Sequence, residues 1–117
     1  MTPATTLDPL SLRLRNATER TDLDQADIAD LLGSSPRTVS RWLADTSEPR
    51  PEARRRLLEV VAVLEHLSTV LEPAAAHDWL FSPNPMLEHY KPADLLAEGE
   101  YRQVLGLIDA LAEGVFV

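Results

Sequence analysis

The sequence predicts an all-α fold, and three observations predict it. Apolar residues recur at spacings of three and four along most of the 117-residue chain, the period of a helix face. No apolar–polar alternation of useful length occurs, so no strand is expected. Proline and glycine stand where such periodic segments begin and end, as helix punctuation requires.

Residues 1–6 are small and polar and are expected to be disordered. Asp8-Pro9 reads as an N-cap followed by a first-turn proline, and Leu10, Leu14 and Ala17 follow on one face. A second helix is predicted from Asp24 to Leu32, with Ile28, Leu31 and Leu32 inward and Gly33 as its stop. Ser35-Pro36 caps a third helix, in which Val39, Trp42 and Leu43 fall at i, i+3 and i+4. Two short helices around a glycine turn, the second capped and carrying polar groups outward, form the helix-turn-helix pattern. The same pattern also occurs in purely structural helical domains. In the DNA-binding reading Arg37, Thr38, Ser40 and Arg41 face the major groove, where arginine reaches guanine edges and hydroxyls serve bases or phosphates. Arg50, Arg54, Arg55 and Arg56 follow closely. They read either as a grip on the phosphate backbone, with Arg54 and Arg55 as its centre, or as a solvated helix start.

Glu48-Pro49-Arg50-Pro51 is the strongest linker signal. A long helix is expected from Arg54 to Leu71. Leu57, Val60, Val61, Leu64, Leu67 and Leu71 make its stripe, and Leu58, Val63 and Val70 widen it. A helix that is apolar over more than half its circumference must bury both sides. A second copy of the chain is expected to cover it, giving a homodimer; a thicker monomer core is the alternative. Beyond it, Pro73, Asn84-Pro85 and Lys91-Pro92 each open a short helix. A final helix over 100–113 places Tyr101, Val104, Leu105, Ile108, Leu111 and Ala112 on one stripe, with Gly114 at its left-handed end. The expected organisation is a disordered 1–6, a helix-turn-helix domain over 7–50, a connecting or dimerisation helix over 51–72 and a small helical module over 73–117.

Charge divides the chain. Residues 1–58 carry nine arginines against nine acids, whereas residues 59–117 carry Lys91 and Arg102 against ten acids, which accounts for the net charge of −8. Such asymmetry suggests two different partners. A neutral head binds DNA weakly, because phosphate contacts set most of the affinity, so two copies on a palindrome are expected. The acidic half suits a protein partner with basic groups. Cysteine is absent, which excludes disulfide scaffolds, zinc–thiolate sites and thiol nucleophiles and fits a reducing cytoplasm. No run is long and apolar enough for a membrane span, and no secretory signal pattern opens the chain. His66, His77 and His89 lack metal-ligand spacing, and the four glycines form no phosphate loop. Trp42 and Trp79 read as core anchors. No enzyme, metal or cofactor is expected.

The segment from Asp78 to Val117 carries a resemblance. Its Asp78-Trp79-Leu80-Phe81-Ser82-Pro83-Asn84-Pro85-Met86-Leu87 run, then Lys91-Pro92-Ala93-Asp94-Leu95-Leu96, then a helix ending Ala112-Glu113-Gly114-Val115-Phe116-Val117, resemble the toxin-binding domain of the Xre–MbcA–ParS antitoxins, most nearly the MbcA type. Asn84, Leu87, Pro92, Ala93, Leu95, Leu96, Gly99, Val104, Leu105, Ile108 and Gly114 match the family pattern. One departure is visible: many members carry a glycine pair after the position of Leu87, where Glu88-His89-Tyr90 stands here. Upstream, Asp24 to Leu43, with its Thr-Val-Ser-Arg-Trp core, resembles the Xre-type repressor fold.

The resemblance implies an antitoxin whose partner is a RES-domain toxin that destroys NAD, in a higher-order complex with it. It implies that Gly114, Val115, Phe116 and Val117 lie at the mouth of the toxin's NAD pocket, with the terminal carboxylate meeting basic groups there. Lys91 and Arg102 would pair with acids on the toxin. Phe116 could instead fold back onto its own helix. The helix-turn-helix of such an antitoxin implies repression of its own operon. The alternative is a plain DNA-binding regulator whose C-terminal module dimerises or senses a ligand.

Overall fold

A computed structural model describes residues 9–44 and 46–114 of the chain. The expectations for residues 1–6, for Asp8 as a cap and for Val115-Phe116-Val117 lie outside the described residues. Among the described residues seven α-helices and one 3-10 turn follow in order: α1 (Pro9–Arg20), α2 (Gln25–Leu32), α3 (Pro36–Leu43), α4 (Pro51–Ser68), α5 (Pro73–Leu80), the 3-10 turn (Pro85–Leu87), α6 (Pro92–Ala97) and α7 (Tyr101–Ala112). No strand occurs among the described residues.

Local chemistry sets most of these boundaries. Asp24 accepts from the Asp27 N–H at 2.8 Å, and the Asp27 carboxylate accepts from the Asp24 N–H at 3.0 Å, so α2 opens on a reciprocal capping box. Gly33 closes it in the left-handed conformation, φ 66. Proline occupies the first turn of α3, α4, α5, α6 and the 3-10 turn, where its missing N–H has no intrahelical partner to lose.

α4 departs from expectation at both ends. It starts at Pro51 and stops at Ser68, whereas the apolar pattern suggests 54–71. Pro51 is therefore the first turn of the helix and not part of a linker. Val70 and Leu71 lie beyond the Thr69 cap, yet remain half-buried against the core. Pro73 restricts the residue before it to extended backbone, so no helix could run through Glu72, whose ψ is 161.

The wide stripe of α4 is satisfied within one chain. Leu57, Val60, Val61, Val63, Leu64 and Leu67 are all buried and span an arc of about 160° at 100° per residue. α1, α2, α5 and α7 pack around that arc. The stripe thus makes the thicker monomer core and needs no second copy to cover it. Leu58, off the arc, is the exception at 37 % exposed. The inward face of α7 also differs, with Val104, Leu107 and Ile108 buried and Ala112 exposed. That face is rotated by about 50° from the one the periodicity suggests and packs against both α4 and α6.

A single hydrophobic cluster runs from Leu10 and Leu14 on α1 through Ile28 and Leu31 on α2 and Leu64 on α4 to Leu96 on α6 and Ile108 on α7. The first helix of the helix-turn-helix packs directly on α6. Polar ties reinforce this. Arg13 on α1 donates Nε and Nη2 to the Glu65 carboxylate on α4 at 3.0 and 2.6 Å, and that pairing holds the Glu65 carboxyl below its usual range. His66 Nε2 on α4 lies 2.6 Å from Asp109 Oδ1 on α7, and His77 Nε2 on α5 lies 3.5 Å from Asp27 Oδ2 on α2.

Candidate functional site

The outer face of α3 is the first candidate. Val39 and Trp42 anchor it in the core, at 0 % and 5 % exposure. Two groups on α1 hold its C-terminal carbonyls: Ser11 Oγ donates to Trp42 O at 2.9 Å, and Arg15 Nη2 donates to Leu43 O at 2.6 Å. Ser35 caps the other end by accepting from the Thr38 N–H at 3.2 Å. The helix is therefore fixed at both ends, and Arg37 and Arg41, four residues apart, stand exposed on its outer side. Thr38 and Ser40 are half-buried. The Thr38 hydroxyl lies 2.9 Å from Ser35 Oγ and belongs to the cap.

The arginines of α4 have separate environments. Arg54 lies half-buried in a crevice lined also by Trp42, Ser47 and Pro49. Arg55 is exposed and lies between two acids of its own helix, 3.1 Å from Glu59 and 3.7 Å from Glu52. Arg56 turns the other way, donating Nη2 to Leu96 O at 2.9 Å and Ala97 O at 3.1 Å. It thereby satisfies the carbonyl end of α6, forty residues along the chain, a tie with no local signal in the sequence. Gly99, at φ 85, stands over its guanidinium, whose Nη1 would be 3.6 Å from an added Cβ.

The second candidate is the surface of the C-terminal module. Lys91 is exposed at the start of α6, and its N–H donates to Asp94 Oδ2 at 3.0 Å. Arg102 is exposed on α7. Its guanidinium lies 5.7 Å from the centre of the Tyr101 ring and donates Nε to the Tyr101 hydroxyl at 3.3 Å, which raises its pKa above the ordinary arginine value. Gly114 has φ 83 and donates its N–H to Leu111 O at 3.1 Å, so α7 ends there as the sequence implies.

Between α5 and α6 the 84–90 loop closes on one side chain. Asn84 is 4 % exposed. Its Oδ1 accepts from the Met86 N–H at 2.9 Å, its carbonyl accepts from the N–H groups of Leu87 and His89, and its own N–H donates to Tyr90 O at 3.0 Å. The loop turns through Glu88 at φ 54 and His89 at φ 71, the positions at which many family members carry glycine. Both are left-handed, a conformation that costs a residue with a side chain roughly 1–2 kcal/mol. Replacing both by glycine is expected to raise stability by roughly 1 kcal/mol, since that relief exceeds the roughly 0.5–1 kcal/mol of backbone freedom each glycine adds to the unfolded chain. Urea titration of Glu88→Gly/His89→Gly against the parent measures it, and an unchanged or lower midpoint would refute it. Met86 and Tyr90, on the same loop, are exposed. Two large side chains in a proline-bounded stretch without helical period were the sequence signal for them.

Among the described residues no group of three or more His, Cys, Asp and Glu converges as for a metal ion, and no helix is long and apolar enough to cross a membrane. An outward arginine pair on a doubly anchored second helix, beside an acidic helical module on the same core, defines the class: a helix-turn-helix protein with an appended interaction module. Residues 14–63 match the helix-turn-helix family model, and residues 60–114 match that of the antitoxin Xre/MbcA/ParS C-terminal toxin-binding domain, so the two meet inside α4. The chain belongs to the Xre/MbcA/ParS antitoxin family. The mycobacterial cidal antitoxins MbcA of Mycobacterium tuberculosis and Mycobacterium bovis are each 46% identical to it over 108 residues, 92% of this chain and 96% of theirs. A probable mycobacterial cidal antitoxin of Mycobacterium tuberculosis is 32% identical over 93 residues, 80% of this chain and 79% of its own. The crystal structure of the M. tuberculosis MbcT–MbcA toxin–antitoxin complex contains a chain that superposes with a TM-score of 0.85 at 45% identity, covering 95% of this chain and 100% of that one.

Proposed function

We propose that the chain is the antitoxin of a toxin–antitoxin pair: its C-terminal module binds and neutralises a RES-domain, NAD-degrading toxin, and its helix-turn-helix represses its own operon. The observation that carries this reading is the superposition, over nearly the whole chain, on an antitoxin crystallised with its toxin. In this reading Gly114 and residues 115–117 close the toxin's NAD pocket, and Lys91 and Arg102 pair with acids on the toxin. Arg37 and Arg41 read bases, Thr38 and Ser40 support them, and Arg54 and Arg55 lie towards the phosphates. The head carries no net charge, so operator affinity takes two copies on a palindrome, brought together by contacts outside the α4 stripe or within a higher-order complex with toxin. The chain acts in the cytoplasm, needs no cofactor and catalyses nothing itself.

Two measurements test this. Co-expression with a RES-domain toxin is expected to preserve cellular NAD, and unprotected NAD would sink the neutralising half. In gel-shift titrations Arg37→Ala or Arg41→Ala is expected to cost about 1–3 kcal/mol on the operator while sparing non-specific binding. Arg55→Ala should weaken all sequences alike and lower the salt slope by about 0.9. Unaltered operator binding by both α3 variants would mean that this helix does not read DNA.

A further inference from the structure

The two most exposed large apolar side chains among the described residues, Met86 at 57 % and Tyr90 at 60 %, line one groove. The groove lies between the 84–90 loop and the α6–α7 junction and has a volume of ≈ 540 Å³. Leu95, 8 % exposed, and the exposed Glu88, Glu98 and Glu100 line it as well. None of the lining side chains is cationic; Lys91 follows Tyr90 in sequence but is not among them.

We propose that this groove, at the opposite end of α7 from Gly114, is a docking surface for the toxin, and that it takes a segment of the toxin bearing an arginine or lysine. The inference rests on the neutralising function proposed above. Charge complementarity selects the occupant. Three glutamates in one groove repel phosphate, which disfavours nucleic acid and anionic lipid, and offer bidentate acceptors to a guanidinium. The exposed face of Tyr90 attracts a cation through its ring quadrupole, and the unbranched thioether of Met86 adapts to an aliphatic neighbour. The hydrogen bonds around Asn84 fix the loop before any partner arrives, so docking orders little additional backbone.

The test uses the full-length chain and purified toxin, with kinetics of binding read at low and high salt. Met86→Ala/Tyr90→Ala is expected to weaken toxin binding roughly thirtyfold, the loss typical of truncated aromatic anchors. Glu98→Lys/Glu100→Lys is expected to slow association at low salt, with the difference shrinking as salt rises. Both pairs are exposed apart from backbone roles, so circular dichroism melts should match the parent; the charge-reversal pair, which removes no apolar surface, serves as the second variant. Variants that fold and bind toxin within about twofold of the parent would overturn the groove alone and leave the neutralising function standing. A parent chain that binds no toxin would overturn both. A change in the self-association of the chain with toxin affinity untouched would assign the groove to a second copy and overturn the proposal.

Discussion

Leu64→Ala is expected to disable operator binding and toxin neutralisation together. Leu64 is 0 % exposed in the last third of α4, one residue past the overlap of the two family matches, where one hydrophobic cluster joins α1 and α2 to α6 and α7. Truncating a buried leucine typically costs 2–5 kcal/mol, about 24 cal/mol for each Å³ of cavity left behind. Against a total of roughly 5–15 kcal/mol for a domain this size, that loss is a large share. A substitution this far from both exposed faces can act on either only through folding. Thermal melts, gel shift and toxin capture on the same preparation would check it. One function lost with the other intact at full strength would mean two separable cores.

Deletion of residues 115–117 is expected to have the opposite signature, with folding and operator binding retained and neutralisation lost. The helix before the deletion is already closed, because Gly114 is left-handed and its N–H bonds to Leu111 O at 3.1 Å. If Phe116 enters a desolvated pocket on the toxin, its removal costs about 2 kcal/mol or more, roughly thirtyfold in affinity. Cellular NAD and growth on co-expression give the readout, with circular dichroism as the folding control. Full protection by the shortened chain would place neutralisation elsewhere on the acidic surface.

What the sequence disclosed here was local. Asp24, Gly33, Ser35 and the first-turn prolines act within one turn of themselves, so α2, α3, α5 and α6 were legible almost to the residue. Arg37 and Arg41 were placed on one face by spacing alone, and the structure exposes both. Long-range facts were not legible. The purpose of Arg56 depends on the carbonyl end of a helix forty residues away, and the Arg13–Glu65 pair spans fifty-two. The same limit explains the α4 stripe. Its width required a cover, but only the packing of α1, α2, α5 and α7 shows that the cover comes from the same chain. The buried face of α7 differs from its periodic stripe for the same reason, since periodicity finds a stripe but not the elements that pack on it.

The five helical segments after α2 that begin on proline, at Pro36, Pro51, Pro73, Pro85 and Pro92, have an effect that no contact in the folded molecule records. A ring that locks φ near its helical value leaves the unfolded chain fewer states to lose. Where the native backbone already suits it, each such proline favours folding by about 0.4–1 kcal/mol. Together they contribute on the order of 2–5 kcal/mol, comparable with a buried leucine and a sizeable part of the stability of so small a protein. The chain's order is thus secured partly by disorder it is denied, and replacing Pro51 or Pro73 with alanine would weaken the fold while leaving its packing untouched.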